Sequence, residues 1–173
     1  MITTAQHVPD NQYRISTSPL YTTNLETCVG VALSAGETLG LWHCHGADIM
    51  RLNTSEPNAA TLLQEFLTKV EQESKINRQQ ITGYVIGGDY DRKVPKHADQ
   101  RYRHNHTMYD LVLKQGIKLP PKRDPTHLIC SMRKSALVWH EGHQFHLKTD
   151  LHKELYTNPQ DALRKLLESK NPH

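Results

Sequence analysis

The chain lacks any long apolar run and carries almost no excess of one charge sign. No stretch approaches the ~20 apolar residues of a membrane-spanning helix. The first residues (Met1-Ile2-Thr3-Thr4-Ala5-Gln6-His7) have neither the basic nor the apolar region of a secretory signal. The expectation is a cytoplasmic protein with no membrane insertion; export to a host cell as an effector would use a route that reads other signals. Lys+Arg 21 against Asp+Glu 18 leaves +3 over 173 residues, and the basic residues are dispersed without interleaved aromatics. That gives no electrostatic footprint for nucleic acid. Cysteine is scarce: Cys28, Cys44 and Cys130 are an odd set with no paired framework. At least one thiol is therefore outside any intrachain disulfide, and a reducing compartment fits.

Internal repeats and low-complexity segments are also missing, and the 36% hydrophobic content is enough for one domain with a real core. The reading is a single domain over 1–173, with 1–19 as an N-terminal segment and 157–170 as a C-terminal helix added to the core. The polar residues 1–20 carry one edge strand near Tyr13 to Ser16. Two short apolar runs, 28–33 and 39–43, flank Ser34-Ala35-Gly36-Glu37 and predict strand, tight loop, strand. Ala59, Leu62, Leu63, Phe66, Leu67 and Val70 form one apolar stripe, predicting a helix over Asn58 to Ser74. Ile81 to Ile86 reads as a strand stopped by Gly87-Gly88, and Asp89 to Arg103 as a charged loop with Pro95. Asn105 is positioned to cap a second helix running through Gln115, and Gly87-Gly88 reads as a simple tight turn. Leu128 to Met132, Ala136 to Trp139 and Phe145 to Leu147 read as strands, the last two joined at Glu141-Gly142. Asn158 as N-cap and Pro159 at the first helical position open a final amphipathic helix. Strands and helices mix without strict alternation, which predicts α+β.

Within this pattern Cys28 and His43 fall at the outer ends of one hairpin. In an antiparallel pair the start of the first strand lies beside the end of the second, so the thiol and the imidazole come to contact distance. Thiol and imidazole together are the minimum apparatus of a cysteine hydrolase, since an imidazole can take the thiol proton and depress its pKa. By itself, Cys28 reads more readily as a buried structural thiol, since free cysteine is among the most buried residue types. His45, two residues on and on the same strand face, is the reserve partner.

The order of elements resembles the chemoreceptor glutamine deamidase family CheD, from about Leu20 to Leu147. The segments that carry the resemblance are Thr22-Thr23-Asn24-Leu25-Glu26-Thr27-Cys28-Val29-Gly30-Val31, Leu39-Gly40-Leu41-Trp42-His43, the helix over Ala59 to Val70, Tyr84-Val85-Ile86-Gly87-Gly88, and Asn105 through Gly116-Ile117. The resemblance implies a sandwich of two mixed β-sheets flanked by helices, a fold shared with the catalytic domains of cytotoxic necrotizing factors and Burkholderia lethal factor. It implies hydrolysis of a protein glutamine by Cys28 as nucleophile, His43 as general base and Thr22 as the group that orients the imidazole, without cofactor or metal. The implied partner is a protein presenting an accessible glutamine, either a bacterial chemoreceptor or a host protein. The amides of Cys28 and of the Asn24 to Thr27 loop are the expected oxyanion donors.

Glu26-Thr27 stand where the family has Gly-Ser, which sets a carboxylate ahead of the thiol, where it either disturbs the oxyanion pocket or raises the thiol pKa by like-charge repulsion. A catalytically silent binding module of the same fold is the corresponding alternative. A third reading is metal binding through His43-Cys44-His45 or the histidines of His140-Glu141-Gly142-His143-Gln144-Phe145-His146, residue types that zinc uses, although their spacing fits no common template.

Overall fold

The fold is taken from a computed structural model that describes residues 4–50, 58–88 and 102–169. The charged segment expected over 89–103 lies outside the described residues except for its last two positions. Among the described residues eight strands run in chain order: β1 (Gln6–His7), β2 (Tyr13–Ser16), β3 (Leu20–Thr22), β4 (Val29–Ala35), β5 (Thr38–Cys44), β6 (Thr82–Gly87), β7 (Ala136–Glu141) and β8 (Gln144–Lys148). Six α-helices accompany them among the described residues: α1 (Gly46–Met50), α2 (Ala59–Ser74), α3 (Arg103–Lys114), α4 (Pro125–Ser131), α5 (His152–Thr157) and α6 (Pro159–Glu168).

The strands form two four-stranded sheets, ordered β1-β3-β7-β8 and β2-β5-β4-β6. The architecture is α+β with mostly antiparallel sheets. The first sheet is mixed through its parallel β1-β3 pair, whereas every pairing in the second is antiparallel, so the expectation of two mixed sheets holds for one of them.

Side-chain alternation builds the layers. Along β4, Val29, Val31, Leu33 and Ala35 point one way and pack with Phe66, Leu67 and Val70 of α2 and Met108 and Val112 of α3. Ala32 of β4, with Leu39 and Leu41 of β5 and Ile86 of β6, points the other way and meets Leu20, Ala136 and Val138 of the first sheet. The outer face of that sheet, through Leu137 and Trp139, is covered by Leu155 of α5 and Leu163 of α6. The result is helices, sheet, sheet, helices. Both sheets are sealed on both faces, and the long central strands β4 and β5 are buried almost throughout.

Local chemistry accounts for the elements. Asn58 caps α2 by accepting from the amides of Ala60 and Thr61. The stripe Leu63, Phe66, Leu67 and Val70 is buried, each large side chain contributing about 1.5–3 kcal/mol of burial. Phe66 packs so close that a Cβ on Gly40 would lie 2.9 Å from its Cζ, so glycine at 40 lets the helix sit on the sheet. The β7-β8 turn is Gly142-His143, both at positive φ (56° and 69°), as a two-residue hairpin of this hand requires.

Two expectations need correction. Residues 125–131 form α4, not a strand; Asp124 caps it by accepting from the Thr126 amide, and Pro125 opens it. Asn105 lies inside α3 and is fully buried, so it is not a cap. The edge strand expected near Tyr13 to Ser16 is β2, and β1 adds a second from the same N-terminal segment, one to each sheet. Among the described residues no helix is long and apolar enough to cross a membrane.

Candidate active site

The hairpin register sets the site. Gly30 pairs with His43 and Val29 with Cys44, so His43 and Cys28 share the face that looks between the sheets, while Cys44 looks at the helix layer. Gly30 keeps the space beside them clear, since a Cβ there would come 2.9 Å from Leu25 Cδ1. A ring nitrogen of His43 lies within 4.8 Å of Cys28 Sγ. His43 is buried, with side-chain exposure of 3%, and Cys28 is 8% exposed at the edge of the core.

Thr22, at the end of β3 in the opposite sheet, reaches His43 from the other side. Its Oγ1 is 2.7 Å from His43 Nδ1 and donates to the Val8 carbonyl at 2.8 Å. A hydroxyl has one proton, and a carbonyl only accepts. With that proton committed to Val8, Thr22 Oγ1 must accept from Nδ1–H. The neutral imidazole is therefore held as the Nδ1–H tautomer, and Nε2 turns a bare lone pair toward the thiol side. Nε2 is buried and has no hydrogen-bond partner.

One residue in this constellation escaped the sequence reading. Asp10, in the turn between β1 and β2, places Oδ1 3.3 Å from His43 Nε2, and the same oxygen accepts a hydrogen bond from the Cys28 thiol at 3.9 Å. Asp10, Cys28 and His43 thus offer one oxygen, one sulfur and one nitrogen to a common point. His45 sits outside it, half exposed, with Nε2 4.0 Å from Asp10 Oδ2.

Electrostatics follow from burial and from Asp10. Burial pushes the Cys28 thiol up, and Asp10 pushes it further, against hydrogen bonds from the Gly46 backbone and the Thr27 side chain that favour the thiolate. Burial lowers the His43 pKa, and Asp10 opposes that shift. The resting pair is therefore neutral thiol and neutral imidazole, not the depressed thiol that a Cys/His pairing suggests. The other two cysteines are shifted further: burial raises Cys44 strongly and takes Cys130 up to about 11. The carboxylate expected to repel the thiol is not the one that does. Glu26 is exposed and pairs with Lys134 at 2.7 Å.

The loop before Cys28 is clamped from three sides. His104 of α3 donates from Nδ1 to the Thr27 carbonyl at 2.7 Å. Leu25 donates its amide to Lys134 O at 2.9 Å, which removes it from the expected oxyanion donors, and its carbonyl accepts from the Gly88 amide at 3.2 Å. Gly87 and Gly88 stand at φ 84° and 78°, and a Cβ on Gly87 would lie 2.9 Å from Cys28 O. Asn105 donates Nδ2 to Gly87 O at 2.8 Å, so the buried asparagine holds the glycine pair that holds the loop.

The histidine-rich motifs do not converge. Both ring nitrogens of His140 have protein partners, Ser34 Oγ at 2.9 Å and Glu37 O at 3.1 Å. His143 is on the exposed turn, and His146 stacks on Trp139. Within His43-Cys44-His45, strand alternation sends Cys44 away from His43. The sequence matches no protein-family model and no curated protein.

Proposed function

We propose that this protein is a CheD-like cysteine hydrolase that deamidates a glutamine side chain of a protein substrate. The observation that carries the reading is the imidazole between Thr22 and Cys28: one nitrogen is locked as a donor to Thr22, so the other is free to act as base toward the thiol. In this reading His43 Nε2 takes the Cys28 proton as sulfur attacks the amide carbon, and the amide of Cys28 stabilises the oxyanion. The carbon–nitrogen bond then breaks, and His43 returns its proton to the departing ammonia. Water, deprotonated by the same nitrogen, opens the thioester to glutamate and regenerates the thiol.

Asp10 supports the step by facing the imidazolium that forms transiently at Nε2. The thiol is protonated at rest, so proton transfer accompanies attack, as it does for a serine nucleophile. The silent-module alternative rested on Glu26, and that carboxylate is exposed and paired with Lys134. The substrate class is a protein with an exposed glutamine, whether a helical bacterial receptor or a host protein.

Incubating candidate proteins in ¹⁸O-labelled water tests this. One glutamine should gain about 3 Da through hydrolysis with solvent oxygen, and Cys28→Ser should abolish the gain. Modification that persists unchanged with Cys28→Ser would overturn the reading.

A further inference from the structure

Three groups that accept or lose protons converge at the mouth of the site: the Cys28 thiol donates to Asp10 Oδ1 at 3.9 Å, and no hydrogen bond joins the imidazole to the carboxylate. His43 Nε2 presents a lone pair because Thr22 holds the proton on Nδ1. Asp10 Oδ1 faces that lone pair at 3.3 Å, and the pair makes no hydrogen bond. Two acceptors at that separation repel unless a cation lies between them. A proton is one such cation; a metal ion is the other.

We infer that Asp10, Cys28 and His43 form a binding site for Zn²⁺, with the fourth position open to water. Tetrahedral zinc with bonds of about 2.0–2.3 Å to N, O and S sets neighbouring donors roughly 3.4–3.6 Å apart. The observed 3.3 Å between Nε2 and Oδ1 and 3.9 Å between Sγ and Oδ1 are close to those edges before any adjustment, with all three atoms inside 4.8 Å. The donor set, with a thiolate and an imidazole, suits zinc and excludes a magnesium or calcium preference. His43 also has the support a zinc-bound histidine uses, its remote N–H held by a fixed oxygen. On binding, the Cys28 S–H bond breaks, its proton goes to solvent, and a sulfur–metal bond forms. Zinc would occupy the sulfur and the Nε2 lone pair that hydrolysis requires. The metal-loaded protein would then be inactive, a consequence that rests on the deamidase reading.

Titrating Co²⁺ into the reduced protein, without substrate, tests the site independently of that activity. A thiolate-to-cobalt absorption in the near ultraviolet should saturate at one ion per chain and be displaced by Zn²⁺. Cys28→Ser should abolish the absorption, Cys44→Ser should leave it unchanged, and Asp10→Asn should weaken affinity at least about tenfold. Asp10 is largely exposed, so its variant reports on the site even where Cys28→Ser compromises folding. No thiolate band, a band retained in Cys28→Ser, or unchanged affinity in Asp10→Asn would each overturn the inference while leaving the hydrolase proposal standing.

Discussion

Thr22 does more at the residue scale than its small side chain suggests, because one hydroxyl fixes which nitrogen of the neutral His43 ring carries the proton. Thr22→Val removes that hydroxyl and leaves a buried N–H and the Val8 carbonyl without partners, a loss of roughly 1–3 kcal/mol in stability. Under the proposed mechanism it lowers kcat by roughly 100-fold, whereas Thr22→Ser retains most of the rate. Urea unfolding and steady-state kinetics on the two variants check both effects. Equal rates for the two would remove Thr22 from the mechanism. The trio Cys28, His43 and Thr22 was legible because a thiol, a strand-end histidine and a threonine sit at the spacing of a resembled family. Asp10 was not legible. It is one carboxylate in a polar turn, 18 residues from the thiol it approaches, and no periodicity marks it.

Gly46 at the start of α1 and Gly87 at the end of β6 act at the scale of elements, by letting backbones approach the loop before Cys28. A Cβ on Gly46 would lie 2.7 Å from the Thr27 carbonyl and 3.0 Å from His104 Cε1, so Gly46→Ala displaces the segment that presents Cys28. The expected outcome is a folded protein whose activity falls at least about tenfold, since sub-ångström misplacement of a reacting group is costly. Circular dichroism together with turnover measures it, and unchanged turnover would contradict the clamp. Gly87→Ala adds backbone strain at φ 84° to a similar clash and should lower stability by roughly 1–3 kcal/mol, read from a urea midpoint.

Elements with a strong period were readable: α2 from its stripe, the β4-β5 hairpin from its flanked apolar runs, α6 from Asn158-Pro159. The run Leu128 to Met132 misled, because a few consecutive apolar residues fit strand and helix alike. The deciding signal was Asp124-Pro125 just ahead, a cap followed by a first-turn proline. The strand β3 and the helices α1 and α5 are three to six residues long, too short for periodicity to register. Asn105 resembled a cap in sequence and proved to be a buried brace, which only the approach of α3 to Gly87 reveals.

For the molecule as a whole, the sandwich buries histidines in neutral form. Burial lowers the pKa of His43, His104 and His127 below the ordinary 6.5. The unfolded chain therefore binds more protons than the folded one as pH falls through 6.5, so stability is fully present above that value and declines below it. Urea midpoints should fall between pH 7.5 and pH 5.5; a flat or rising profile on acidification would contradict the burial of these rings as neutral groups. The same packing separates the three cysteines by access, with Cys28 at the edge of the core, Cys44 beneath the helices and Cys130 on the buried face of α4.

That separation gives the most direct test of the central claim, that Cys28 is a nucleophile served by His43. Site-resolved iodoacetamide labelling of the native protein at neutral pH, followed by mass spectrometry, reads it without a known substrate. The account predicts labelling at Cys28 at least about tenfold faster than at Cys44 or Cys130, and a loss of most of that advantage in His43→Ala. Labelling at Cys28 no faster than at the two buried thiols, or a rate indifferent to His43, would contradict it.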